Sequence, residues 1–199
     1  MNSAAPGLPR LEWVNGDGVV EQPTAGTLRL TAAPGVDWTN DAFGGPQQHA
    51  ATLLGFEPSE DFSLSARATV IGERTTFDAA ALAIWGDRGH WAKLCFEYSP
   101  QGEAMVVSVV TNEYSDDCNS TLVLDDAVFL RVTRAGAGWA FHSSTDGQSW
   151  VFVRVFRLAY SGPVRVGFLA QAPLGDSCVA QFDDIRFSTV IPADFRNES

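Results

Sequence analysis

Apolar and polar side chains alternate two by two along most of this chain, and that period permits little except β-sheet, whose successive side chains point to opposite faces. Phe62, Leu64, Ala66, Ala68 and Val70 alternate with Ser63, Ser65, Arg67 and Thr69. Ala92, Leu94, Phe96 and Tyr98 alternate with Trp91, Lys93, Cys95 and Glu97. The same pattern runs through Val151–Phe156 and Val164–Gln171. Nineteen valines and thirteen phenylalanines favour the pleated sheet further. One window, Ala79 to Ile84, has helix-like composition, but it is too short and too tightly bounded by Asp and Gly to be assigned as helix.

Turn signals punctuate the pattern at short intervals, among them Asp17-Gly18, Pro34-Gly35, Gly44-Gly45-Pro46, Gln101-Gly102 and Asp146-Gly147. They divide the chain into about fourteen strands, which predicts an all-β sandwich or jelly roll of two antiparallel sheets. The longest stretch without a clear strand, residues 35–47, carries Trp38 and Phe43 and is predicted to be an ordered loop at a functional rim. No linker or repeat interrupts the pattern, so residues 1–199 are predicted to form one domain with its core at about 11–189. The tail after Ile191 is predicted to fray.

At 199 residues the chain is long enough to build a core without disulfides. It carries 24 acidic against 13 basic residues, a net charge of -11, which disfavours binding to nucleic acid or to an anionic membrane surface. No apolar run is long enough for a membrane-spanning helix. The N-terminal MNSAAPGLPRLEWVN lacks the basic and apolar regions of a secretory signal. Three cysteines, Cys95, Cys118 and Cys178, lack C-x-x-C spacing and fit reduced thiols, so a cytoplasmic location is expected.

The ordered set Leu11-Glu12-Trp13-Val14-Asn15, Asp37-Trp38-Thr39, Trp91-Ala92-Lys93 with Glu97, Val110-Thr111-Asn112, Tyr114-Ser115-Asp116 and Ser144-Thr145-Asp146-Gly147-Gln148-Ser149-Trp150 resembles the "regulation of enolase" family of concanavalin A-like domains. The resemblance spans about Leu11 to Phe187. It implies a concanavalin A-like jelly roll with one concave sheet. Related domains bind glycans there or accompany glycosidases. That family's general biochemical function is unassigned, and Thr39 stands here where its Asp-Trp loop often has a second aromatic residue.

On that fold the strand Trp91–Tyr98 is the most informative segment. Its apolar face is Ala92, Leu94, Phe96 and Tyr98, which turns Trp91, Lys93 and Glu97 outward. An aromatic plane, a cation and a carboxylate together suit a sugar or polyol. Lys93 is the chain's only lysine. Trp85 is expected on the same face as Trp91, as an aromatic platform, and Asp37 and Trp38 are expected at its rim. Asn112 lies in a polar loop that would either order a ligand or close a strand. Arg131 is expected on a polar face, within reach of Glu97 or Asp116, and Asp146-Gly147 reads as a hairpin turn with Trp150 buried behind it.

Catalytic and metal signatures are sparse. The strand-borne E-x-D-x-(x)-E of concanavalin A-like glycosidases is missing, so a pair would have to come from Glu97 with Asp116 or Asp37 through the fold. His49, His90 and His142 are not at metal spacing. The acidic doublets at 116–117, 125–126 and 183–184 leave a structural calcium as the one metal option, without a D-x-D-x-D-G loop to hold it. No catalytic residue, metal ligand or cofactor is therefore assigned. The sequence reading is a non-catalytic carbohydrate- or polyol-binding module that uses Trp91, Lys93, Glu97, Trp85, Asp37, Trp38 and Asn112. Its alternatives are a protein-interaction or regulatory module and an unrecognised carbohydrate-active enzyme.

Overall fold

The computed structural model describes residues 4–196. Sixteen strands run in chain order: β1 (Glu12–Val14), β2 (Val19–Glu21), β3 (Leu28–Ala32), β4 (Trp38–Asn40), β5 (Gln47–His49), β6 (Leu53–Phe56), β7 (Phe62–Ile71), β8 (Ala79–Asp87), β9 (His90–Tyr98), β10 (Ala104–Asn112), β11 (Tyr114–Leu122), β12 (Ala127–Ala135), β13 (Gly138–Ser144), β14 (Val151–Phe156), β15 (Arg165–Gln171) and β16 (Cys178–Ser188). Among the described residues there is no helix, and none long and apolar enough to cross a membrane.

Two seven-stranded antiparallel sheets are stacked. The first has the order β1-β6-β15-β8-β9-β10-β11, and the second β14-β13-β12-β7-β16-β3-β2. Their facing sides form the main core: Leu82, Ile84, Leu94, Phe96, Val106 and Phe168 from the first sheet meet Leu64, Leu130, Val132, Phe141 and Phe182 from the second. The alternation specifies this arrangement, because a one-residue slip would turn each set to the wrong side. Residues 79–87 form a central strand, not a helix. Their run of alanines lets β8 lie flat between β15 and β9.

β4 and β5 pair only with each other and form a small hairpin that lies over the outer face of the first sheet. All of β4 and the first residue of β5 therefore lie within the 35–47 stretch expected to be loop. The outer face is small-featured where the hairpin rests. Gly55 and Gly167 face each other across β6 and β15, and a Cβ on Gly167 would collide with the Leu54 carbonyl and the Gly55 Cα. Ala79, Ala81 and Ala83 continue this small-residue surface on β8.

The C-terminal segment also differs from expectation as far as it is described. His142 donates from Nε2 to the Phe195 carbonyl at 2.8 Å, and the Arg196 guanidinium lies 4.8 Å from the centre of the Phe152 ring. These contacts tie the segment to the second sheet, and residues 197–199 lie outside the described range.

Candidate functional site

Strand register defines the outer face of the first sheet. Trp91 is opposite Trp85 on β8 and Thr111 on β10, Lys93 is opposite Ala83 and Val109, and Glu97 is opposite Ala79 and Met105. Trp85, Trp91, Lys93 and Glu97 thus share the face that alternation assigned to them. Their exposure differs from the expected open platform. Trp91 is 0% exposed and Lys93 3%. The physical reason is the β4–β5 hairpin. Trp38, itself 1% exposed, packs against Trp85 and Trp91 with ring centroids 4.6 and 5.7 Å away. The tryptophans form a second hydrophobic cluster with Leu53, Ala81, Ala83, Cys95, Val107 and Leu169, and only Trp85 remains half-buried.

Local hydrogen bonds hold the hairpin down. Trp38 Nε1 donates to the Ala51 carbonyl at 2.7 Å. Asn40 donates from Nδ2 to the Arg88 and Glu113 carbonyls at 2.9 and 2.8 Å, and its backbone amide donates to Ser115 Oγ at 2.9 Å. His49 Nε2 is 2.7 Å from Asn40 Oδ1, and burial holds the imidazole below its usual pKa. The hairpin tip projects outward, with Phe43 fully exposed.

Beneath the hairpin lies a buried polar network. Lys93 Nζ donates to Asp37 Oδ1 at 2.6 Å, to the Trp38 carbonyl at 2.9 Å and to Gln171 Oε1 at 2.8 Å. That uses all three ammonium hydrogens. Because Lys93 takes the amide oxygen of Gln171, the Gln171 Nε2 points to the Phe77 carbonyl at 2.8 Å and to Glu97 Oε2 at 3.3 Å. Burial opposes the Lys93 charge most strongly, but Asp37, Cys95 and Glu97 together outweigh it and raise the ammonium pKa above its ordinary value.

Glu97 is half-buried at the end of this network. Burial raises its carboxyl; Lys93 pulls it down, Asp37 and Asp117 push it up again, and the balance stands at about 7. Asp117 is exposed on β11 and shares the face, because it pairs with Val109, which pairs with Lys93. Its carboxyl is also raised, by burial of its surroundings and by Asp37 and Asp116, against the pull of Lys93.

Other candidates fall elsewhere. Asn112 has the opposite parity from Thr111 and serves the strand end, accepting from the Ala159 amide at 2.7 Å and donating to the Arg157 carbonyl at 3.3 Å. Asp116 faces away from Glu97 and pairs with Arg154 of β14 at 2.7 Å. Arg131 is on the second sheet, over the Trp150 ring at 4.2 Å, so it meets neither acidic residue and Trp150 is half-buried beneath it. The Asp146 turn is as read: its carboxylate accepts from the Gln148 and Ser149 amides, and Gly147 has φ 68°. Among the described residues no three His, Cys, Asp or Glu side chains gather as metal ligands.

Gln171 and Asp117 were not singled out from the sequence. Gln171 ends an alternating strand, and an uncharged amide at the outward position after Leu169 was the available signal; its burial is visible only in the fold. Asp117 was masked by its neighbour Asp116, since only register distinguishes their faces.

Two stacked antiparallel sheets with a polar network on one outer face place this protein in the jelly-roll β-sandwich class. The chain belongs to the family described as "Protein of unknown function (DUF1349)", which matches residues 13–190. That description, and not the enolase-linked one, is what the match bears. No curated protein matches the sequence. Among solved structures, a functionally unknown protein from Saccharomyces cerevisiae is 26% identical, with a TM-score of 0.81 over 92% of this chain and 97% of that one. The xylan β-1,4-xylosidase from Bacillus halodurans is 16% identical with a TM-score of 0.65, and the match covers 90% of this chain but 39% of the xylosidase. The VIP36 exoplasmic/lumenal domain, in a form bound to Ca2+ and Man3GlcNAc, is 11% identical with a TM-score of 0.52, over 94% of this chain and 86% of that one. The last two likenesses show the fold alone.

Proposed function

We propose that the chain is a non-catalytic binding module for a carbohydrate or similar polyol, held on the outer face of the first sheet. One observation carries this reading: a half-buried carboxylate, Glu97, is fixed through Gln171 to the Lys93–Asp37 pair, whose ammonium has all three hydrogens committed, beside the exposed Asp117. Oriented carboxylate acceptors match the hydroxyls of a sugar, and the half-buried Trp85 ring farther along the same face matches its apolar ring face. The fold likeness to a glycan-bound lumenal domain and to part of a xylosidase supports the same class by analogy. The ligand contacts assigned here are Glu97, Asp117, Asp37 and Trp85. Trp91, Trp38 and Lys93 act from beneath as support. Glycan-array screening of the full chain, followed by calorimetry on the best ligand, tests the reading. Glu97→Gln is expected to weaken binding at least fivefold, about 1 kcal/mol, with folding retained. Unchanged binding would remove Glu97 from the site.

A second reading is favoured by the Glu97 carboxyl at about 7. A proton held near neutrality suits a general acid or base. Turnover of a xylo- or gluco-oligosaccharide that disappears in Glu97→Gln would replace the binding reading with that one.

A further inference from the structure

We infer that the end of the sandwich between β7 and β9 holds a separate site, for a small amphipathic ligand that carries one carboxylate on an apolar body.

The observation that carries this is a cation without a counter-ion. Arg74 comes from the loop between β7 and β8, and its guanidinium lies over the Phe96 and Tyr98 rings at 4.4 and 5.2 Å. Those two residues have the inward parity of β9, opposite to Glu97. Arg74 Nη2 donates to the Asp78 and Phe96 carbonyls at 3.2 and 2.9 Å. A guanidinium has five N–H donors, so three are left over. Nε and Nη1 make no hydrogen bond among the described residues, and Nε is buried. No carboxylate pairs with the group. Asp78 turns one oxygen to the Thr75 amide and hydroxyl at 2.8 and 2.9 Å, and Asp78 and Glu97 act on Arg74 only from a distance. Burial lowers the Arg74 pKa below the usual arginine value in spite of them. A desolvated cation with unused donors is costly until an anion meets it.

The space beside Arg74 suits such an anion. The guanidinium lines a cavity of about 550 Å3, within the ~300–1,000 Å3 range of ligand clefts. Val70, Phe96, Tyr98, Val123 and Leu124 supply apolar and aromatic wall. Leu124 is 98% exposed, so the wall reaches solvent. The Val123 amide donates to the Ala104 carbonyl at 2.9 Å and fixes the loop after β11 to this end. From that loop the exposed Asp125 and Asp126 also line the cavity. One guanidinium balances one carboxylate, and the two loop acids repel a second negative charge. The ligand is therefore a monocarboxylate, not a dicarboxylate or a phosphate dianion. With its carboxylate on Arg74, its apolar body covers the wall. The carbohydrate reading concerns the outer face of the first sheet, so the two stand or fall separately.

The test is an amide-resolved NMR titration of the full chain at pH 7 with 3-phenylpropionate, its neutral amide, phenylsuccinate and acetate. 3-Phenylpropionate is expected to shift Gly72–Arg74, Phe96–Tyr98 and Val123–Asp126. It should bind about tenfold tighter than its amide, about 1.4 kcal/mol, and tighter than phenylsuccinate or acetate. Arg74→Gln should bring the carboxylate and the amide close to parity. Asp125→Asn/Asp126→Asn, an exposed change, should tighten phenylsuccinate more than 3-phenylpropionate. Equal binding of carboxylate and amide to the parent, shifts confined to other parts of the chain, or no saturable shift at all overturns the site. A carboxylate preference that survives Arg74→Gln overturns it too. Unchanged discrimination against phenylsuccinate in the Asp125/Asp126 double variant overturns the single-carboxylate assignment. Should Arg74→Gln fail to fold, the parent and the double variant still decide.

Discussion

Lys93 Nζ and Asp37 Oδ1 lie 2.6 Å apart, 56 residues apart in sequence, with the lysine side chain 4% exposed. This pair pins the hairpin over the tryptophans and sets the field that Glu97 feels. Removing one member strands the other in a poorly solvated place. Lys93→Met is therefore expected to destabilise the fold by ~3–5 kcal/mol. Lys93→Met combined with Asp37→Leu is expected to recover much of that loss. Denaturant unfolding of the two single variants and the double variant gives the coupling. Additive losses would show that the pair contributes no mutual interaction.

Glu97 should make stability fall as pH rises. Its carboxyl is raised from 4.5 to about 7 in the folded chain, so the folded state binds more protons than the unfolded state between those values. The penalty is absent below about pH 4.5, grows through the window and is complete above about pH 7. Glu97→Gln is expected to be more stable than the parent at pH 8, by ~1–3 kcal/mol, and equal to it at pH 4. Chemical denaturation at the two pH values reads this directly. A variant less stable at pH 8 would reverse the assigned sign.

Two cores flank the first sheet, so both faces of β9 should be sensitive. Phe96 faces the second sheet and Trp91 the hairpin, and each is 1% exposed or less. Phe96→Ala and Trp91→Ala should each cost ~3–5 kcal/mol. Melting curves showing Trp91→Ala within about 0.5 kcal/mol of the parent would mean that the hairpin does not cover it in solution.

The three thiols should separate by reactivity. Cys118 is exposed on β11, while Cys95 and Cys178 are buried. Burial pushes the Cys95 thiol well up and that of Cys178 to about 12. A disulfide reagent at pH 8 should modify one thiol quickly in the folded chain and all three after denaturation. Fast modification of two or more would contradict the packing around β9 or β16.

The sheet architecture and the face of each β9 residue were legible because period two is a local property. Ala92, Leu94 and Phe96 on one side and Trp91, Lys93 and Glu97 on the other needed no knowledge of the partner strands. What covers a face is a long-range fact. The Asp37-Trp38 segment was recognised as important, but nothing local shows that Trp38 inserts beside Trp85 and Trp91, and an outward tryptophan was consequently read as exposed. Asp116 and Asp117 are adjacent and chemically alike. The pairing of β10 with β11 alone decides that Asp117 shares the Lys93 face and that Asp116 turns to Arg154. Gln171 reaches the site because β15 pairs with β8, a neighbour about 90 positions away.

Occupation of the outer face beside Glu97 by a ligand is the central requirement of the binding function proposed above. An amide-resolved NMR titration of the full chain with the tightest oligosaccharide from the array measures this most directly. The expected result is perturbation of Lys93–Glu97, Val107–Val109, Asp117–Asn119 and Gln171, with the second sheet unaffected. Perturbation confined to the Phe43 tip, or to the second sheet around Trp150, with β9 unmoved, would contradict the site.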